Sequence, residues 1–126
     1  MGYSFEDLDV YKYAREFRKK IYRLVKELPS VERFSLADQM RRAAVSLTNN
    51  IAEGHGRFHY QENIQFLRHS RGSLAELQDD LNVCIDEEYA DITYLTELKQ
   101  EGNDLNHRIN GYIAYFRRRK QSEEST

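Results

Sequence analysis

A chain of 126 residues, 40% hydrophobic and 32% charged, can bury one core without covalent staples. Its formal charge of −2 excludes a uniformly basic nucleic-acid binder, and its single cysteine excludes an intrachain disulfide. One proline and six glycines leave few turning points, which favours long helices over many short strands.

The first predicted helix runs from about Phe5 to Leu28. Ser4 and Asp7 have capping-box spacing, and Glu6, Asp7 and Asp9 suit the positive end of a helix dipole. Its apolar stripe is Val10, Tyr11, Ala14, Phe17, Ile21, Leu24, Val25 and Leu28; its opposite face is Lys12, Arg15, Lys19, Arg23 and Lys26. Pro29 ends it, and Phe34 in the connector is expected to turn back into the core. Ser35 with Asp38 repeats the capping spacing and opens a second helix that runs to about Glu53, with Gly54 as its stop. On this helix Met40, Ala43, Leu47 and Ile51 form one stripe, and small polar residues form a second, the pattern of a helix packed on two sides. A loop with two glycines and two histidines covers Gly54 to Tyr60.

The third predicted helix spans about Gln61 to Asp86, with Ile64, Phe66 or Leu67, Ser70, Leu74, Leu77, Leu81, Cys84 and Ile85 inward. Gly72-Ser73 in mid-helix loses about 1 kcal/mol of propensity, which a close approach of Gly72 or Ser73 to the second helix near Ala43–Asn50 would offset. The short turn Glu87–Ala90 makes the next helix an antiparallel neighbour. Asp91 caps that helix, and Ile92, Leu95, Leu98, Gly102, Leu105, Ile109, Tyr112, Ile113 and Phe116 line it. These elements predict an all-α, antiparallel up-down-up-down four-helix bundle. It forms one domain over residues 1–120, with 121–126 a disordered tail. Apolar and tyrosine surface beyond one stripe per helix points to an oligomer.

Charge is segregated along the chain. From Lys12 to Arg42 there are ten basic and four acidic residues, a balance of +6; from Glu76 to Asp104 there are ten acidic residues and one lysine, a balance of −9. Arg117–Lys120 adds four cations. The basic face of the first helix reads in three ways: as a solvated face, as a partner for a neighbouring subunit's acidic hairpin, or as a phosphate-binding surface.

Site chemistry is sparse. No Glu precedes a His by three, as inward di-iron sites require, and His55 and His59 flank a predicted loop, so no metal is expected. Cys84 lies on an apolar stripe, the setting of a packed thiol rather than a nucleophile. Nucleophile-elbow, phosphate-loop and dinucleotide patterns are absent, so neither catalysis nor a cofactor is expected. An enzymatic reading would need Glu53 and Glu76 to share a solvent-open pocket. Ser46, Asn49, Asn50, Glu53, Ser73 and Glu76 form a polar set that reads either as interhelical or intersubunit hydrogen bonding or as a ligand or RNA contact. No apolar run approaches the roughly 20 residues of a membrane span, and the N-terminus lacks signal-peptide character. A reducing, cytoplasmic setting is the expectation.

Gln39-Met-Arg-Arg-Ala-Ala-Val-Ser-Leu-Thr-Asn-Asn-Ile-Ala-Glu-Gly resembles the second-helix signature of bacterial four-helix-bundle proteins encoded in intervening sequences of 23S ribosomal RNA genes. Phe66-Leu-Arg-His-Ser-Arg-Gly-Ser-Leu-Ala-Glu-Leu is similar to that family's third-helix signature, and Phe5-Glu-Asp-Leu-Asp-Val-Tyr with Ala14 fits its first helix. The resemblance covers about Phe5 to Phe116. It implies a left-handed antiparallel bundle, often a ring-shaped homopentamer. A related branch is the accessory variability protein of diversity-generating retroelements, a basic pentamer that binds a reverse transcriptase and nucleic acid. The pI of about 6.1 departs from that branch and weighs against strong non-specific nucleic-acid binding. The function expected is that of a non-enzymatic, ring-forming interaction protein with RNA or a nucleic-acid-processing partner, or else a protein-only adaptor. Arg41, Arg42, Arg57, Arg68 and Arg71, the basic residues nearest the signatures, are the nucleic-acid contact candidates.

Overall fold

The computed structural model describes residues 4–124. Four helices, α1 (Asp9–Val25), α2 (Leu36–His55), α3 (Tyr60–Asp86) and α4 (Ile92–Glu124), make an all-α bundle with short 3-10 turns at Phe5–Asp7 and Ser30–Glu32. Each helix packs on the next, and α4 closes on α1. Polar contacts set the register at every seam. Arg18 Nη1 donates to Thr48 Oγ1 at 2.8 Å, Ser70 Oγ to the Leu47 carbonyl at 2.7 Å, Arg71 Nη1 to Asn110 Oδ1 at 2.8 Å, and Lys20 Nζ to Glu101 Oε1 at 2.6 Å.

The core is the predicted set of stripes. Ile21, Leu24, Met40, Leu47, Ile51, Ile64, Leu74, Leu77, Leu81, Leu95, Leu98 and Ile109 are all fully buried. Each such side chain contributes about 1.5–3 kcal/mol of transfer free energy. On α2 the buried residues include Ala37, Ala43, Ala44 and Gly54, small enough for α1 and α3 to approach from two sides.

Several local expectations are corrected. The Ser4–Asp7 capping box forms, but it caps the 3-10 turn; Leu8 is extended and α1 begins only at Asp9. Phe34 is 85% exposed rather than buried; Leu36, on the first turn of α2, occupies the core instead. Ser35 makes no cap bond, because its hydroxyl donates to Glu32 Oε1 at 2.6 Å, and Asp38 pairs with Arg42 at 2.9 Å. Gly54 does not stop α2. It lies inside the helix, where an added Cβ would stand 3.0 Å from Phe66 Cβ, and Gly56 is the C-cap. Gly72 faces open space, so the close approach belongs to Ser73 alone, whose Oγ lies 2.9 Å from Ser46 Oγ. The helix α4 continues through Gln121–Glu124, and the last two residues of the expected tail lie outside the described residues.

The α3–α4 turn was expected from length alone, and its geometry is specific. Tyr89 N bonds the Cys84 carbonyl at 2.9 Å and Glu88 N the Ile85 carbonyl at 3.1 Å. This is a Schellman arrangement with Glu88 at φ 56°, a position glycine normally occupies.

Candidate functional site

The outward face of α2 is where the signature stretch meets solvent. A groove of about 570 Å³ between α1 and α2 is lined by Tyr22, Arg41, Arg42, Val45, Ser46, Asn49 and Asn50. Asn49 also borders a second concavity of about 670 Å³ with Phe5, Ala52, Glu53, Gly56 and Arg57. The two form one trough along α2, with arginines near both ends. From Arg41 to Arg57 the helical rise spans about 24 Å.

Within it, Arg42 Nη2 is 2.9 Å and Arg41 Nη2 3.8 Å from the Asp38 carboxylate, so one carboxylate serves two guanidiniums. Arg57 pairs with Glu53 at 3.1 Å and lies 4.8 Å over the Phe66 ring. These pairs are partly exposed and hold their charges loosely, each worth roughly 1 kcal/mol or less. Arg18 from α1 adds a further cation at the buried Thr48.

The candidate residues separate. Arg41, Arg42 and Arg57 line the trough, whereas Arg71 bonds Asn110 on α4, and Arg68 is half-buried three residues before it on α3. The polar set divides as well. Ser46, Asn50 and Ser73 join in one network: Asn50 Nδ2 donates to the Ser46 carbonyl at 2.8 Å and to Ser46 Oγ at 3.0 Å. Asn49 and Glu53 are exposed in the trough, and Glu76 is exposed on α3. With Ser46 opposite Ser73, Glu53 and Glu76 stand on the order of 15 Å apart along the bundle and share no pocket.

Two carboxylates carry more structural consequence than the sequence showed. Asp80 is 6% exposed, and its Oδ2 has no hydrogen-bond partner. Burial, aided by Glu76 and Asp79, pushes its pKa up to about 6. It sits between Leu77 and Leu81, a position at which an acidic residue in an apolar stripe was the available signal. Glu32 accepts from Ser35 Oγ at 2.6 Å, from Tyr89 Oη at 2.8 Å and from Leu36 N at 3.4 Å. The Ser35 and Tyr89 bonds lower its pKa, and the same bond pushes the Tyr89 phenol up to about 12. Cys84 is fully buried, and that burial pushes its thiol up to about 11, so it is not a thiolate at neutral pH. Among the described residues no three His, Cys, Asp or Glu side chains are grouped as metal ligands would be.

A model of the 23S rRNA-intervening sequence protein family matches residues 6–111. The chain belongs to this family. The matched span takes in α1, α2 and α3 and most of α4, and so includes every trough residue except Phe5. A similar solved structure is a protein of unknown function from the S23 ribosomal protein family of Bacteroides thetaiotaomicron VPI-5482. It is 22% identical with a TM-score of 0.77, over 83% of this chain and 95% of that one. At that identity the likeness bears on the fold, which is the same bundle. No curated protein matches the chain. No helix among the described residues is long and apolar enough to cross a membrane.

Proposed function

We propose that this family member is a non-enzymatic, cytoplasmic interaction protein that assembles into a ring and binds RNA along the α2 trough. The observation that carries the reading is the lining of that trough: Arg41, Arg42 and Arg57 spaced along one groove, with the Tyr22 ring and the Asn49 amide between them. Guanidiniums bind phosphates, an aromatic ring stacks a base, and an amide reads a base edge. Stacking and base-edge contacts need unpaired bases, so single-stranded RNA is the fitting form. The charge segregation supports the ring. Exposed Lys12, Arg15, Lys19 and Arg23 lie on α1 with Lys26 at its C-cap, and exposed Glu76, Asp79, Glu97 and Asp104 lie on the α3–α4 hairpin. Joining two different patches side by side makes a heterologous contact, which closes as a ring when the rotation between neighbours is a whole fraction of a turn; five copies is the number that the family resemblance implies.

The test is anisotropy of a labelled single-stranded RNA across a salt series. Three to four phosphate contacts give a log–log salt slope of about −2 to −3. Arg41→Glu with Arg42→Glu should weaken binding by about tenfold or more at low salt and flatten that slope. Unchanged affinity in the variant would remove the trough from the reading. A protein-only adaptor is the second reading, favoured by the largely exposed Val31, Phe34 and Phe58 at the ends of the bundle. It predicts no RNA binding at any salt concentration.

A further inference from the structure

The two ends of the bundle are unlike, and each is incomplete in a way that the other answers. The connector end exposes Val31 at 80%, Phe34 at 85% and Ile92 at 57%. These side chains stand on a built platform. Glu32 ties the connector to Tyr89 of the α3–α4 turn, and the Arg33 guanidinium lies 5.3 Å over the Phe34 ring. Beside them Asp86, Glu87, Glu88 and Asp91 are all exposed.

The opposite end exposes Phe58 at 93% and Tyr115 at 46%, next to the basic run that begins at Arg117. Arg108 stacks 3.5 Å over Tyr13 and Lys20 pairs with Glu101, so the first residue of α1 lies level with about Tyr112. The last turns of α4 therefore overhang α1. Arg117, Arg118 and Arg119 are exposed on that overhang. Of the acids at this end, Glu53 and Glu62 pair with Arg57, Glu124 with Lys120 and Asp7 with the backbone of Ser4, and the four cations from Arg117 to Lys120 still outnumber Glu123 and Glu124 by two.

We propose that the chain docks end to end on a second copy of itself. The acidic, apolar connector end of one copy receives the basic α4 terminus and Phe58 of the next. Charge and apolar surface match across the contact, whereas two like ends brought together would oppose acid to acid or base to base. The patches differ, so the contact is heterologous and propagates as a stack rather than closing as a twofold dimer. One bundle end offers only a few hundred Å² against the roughly 800 Å² per partner of a stable interface. A single contact is therefore weak and salt-sensitive, and it strengthens when several chains are held side by side. The inference stands whether or not the α2 trough binds RNA.

Sedimentation velocity across protein concentration and salt tests it, with two variants that each spoil one end. The connector variant is Val31→Ser with Phe34→Ser; the terminus variant is Arg117→Glu, Arg118→Glu and Arg119→Glu. All five positions are exposed, and their contacts, Arg33 over Phe34 and Arg119 with Tyr60 Oη at 3.4 Å, lie at the surface, so thermal melting of both variants should stay close to the parent, which checks that they fold. The parent should grow in mass with concentration at low salt and return to its base particle at high salt. Each variant alone should stay at the base particle, and an equimolar mixture should double it, because one intact end of each kind remains. Adding Glu87→Lys and Glu88→Lys to the terminus variant should restore growth. A parent whose mass is independent of concentration, or a mixture that does not double, would overturn the proposal.

Discussion

Replacing Asp80 with Asn should stabilise the bundle at neutral pH and make it less pH-sensitive. The carboxylate is buried on α3 with one oxygen unpartnered, and Glu76 and Asp79 are the charges that act on it most. Its displacement from 3.8 to about 6 corresponds to at most about 3 kcal/mol of destabilisation once it ionises. Glu76 and Asp79 are exposed and screened, so we expect a gain of roughly 1–2 kcal/mol in Asp80→Asn at pH 7. The sign fixes the pH window. Below about pH 3.8 the group is protonated in both folded and unfolded chains and contributes nothing. Between that pH and about 6 the unfolded chain releases the proton while the folded chain keeps it, so stability falls as pH rises. Above pH 6 the loss is complete. Urea unfolding of parent and variant at a series of pH values measures the difference, which should vanish near pH 4 and plateau above pH 6. A variant that is less stable than the parent at pH 7, or a difference independent of pH, would refute the argument.

Other predictions concern single packing and backbone features. Glu88→Gly relieves a left-handed residue at the Schellman position and should raise stability by about 1 kcal/mol, read from the urea midpoint with an unchanged m-value. Gly54→Ala favours the helix by about 1 kcal/mol in propensity, yet it places a methyl 3.0 Å from Phe66 Cβ. We expect net destabilisation by about 1 kcal/mol, and a stabilised variant would show that α3 yields at this point. Ser70→Ala removes the buried bond to the Leu47 carbonyl and should lower stability by about 1 kcal/mol. Ser73→Leu should lower it further, by about 1–3 kcal/mol, because the added bulk meets Ser46 across the α2–α3 seam. An unchanged melting transition would contradict that placement.

Much of the fold was legible because helical periodicity is a local property. The stripes from Val10 to Leu24, Met40 to Ile51, Ile64 to Leu81 and Leu95 to Ile113 are the core, and the family signatures lie where two of these stripes meet. Local signals misled where one residue type serves two purposes. Gly54 looked like a helix stop and is a contact point; of Gly72 and Ser73, either of which suited a close approach, Ser73 makes it and Gly72 faces open space. Ser35 had the spacing of a cap, but the Glu32 carboxylate took its hydroxyl. The five arginines were grouped by nearness in sequence. Three lie along one trough and Arg71 crosses to α4, because the direction of a side chain depends on which face of its helix a neighbour covers.

The sequence by itself determined four helices, their order and the residues they bury, since spacing of 3.6 residues and a few turn signals decide these without long-range information. Tertiary structure alone decided that Glu32 binds Tyr89 fifty-seven residues away, that Asp80 is buried without a partner, and that Tyr22 faces Arg41 and Arg42. Such pairings depend on the relative rotation and register of packed helices, which the pattern on any one helix does not contain.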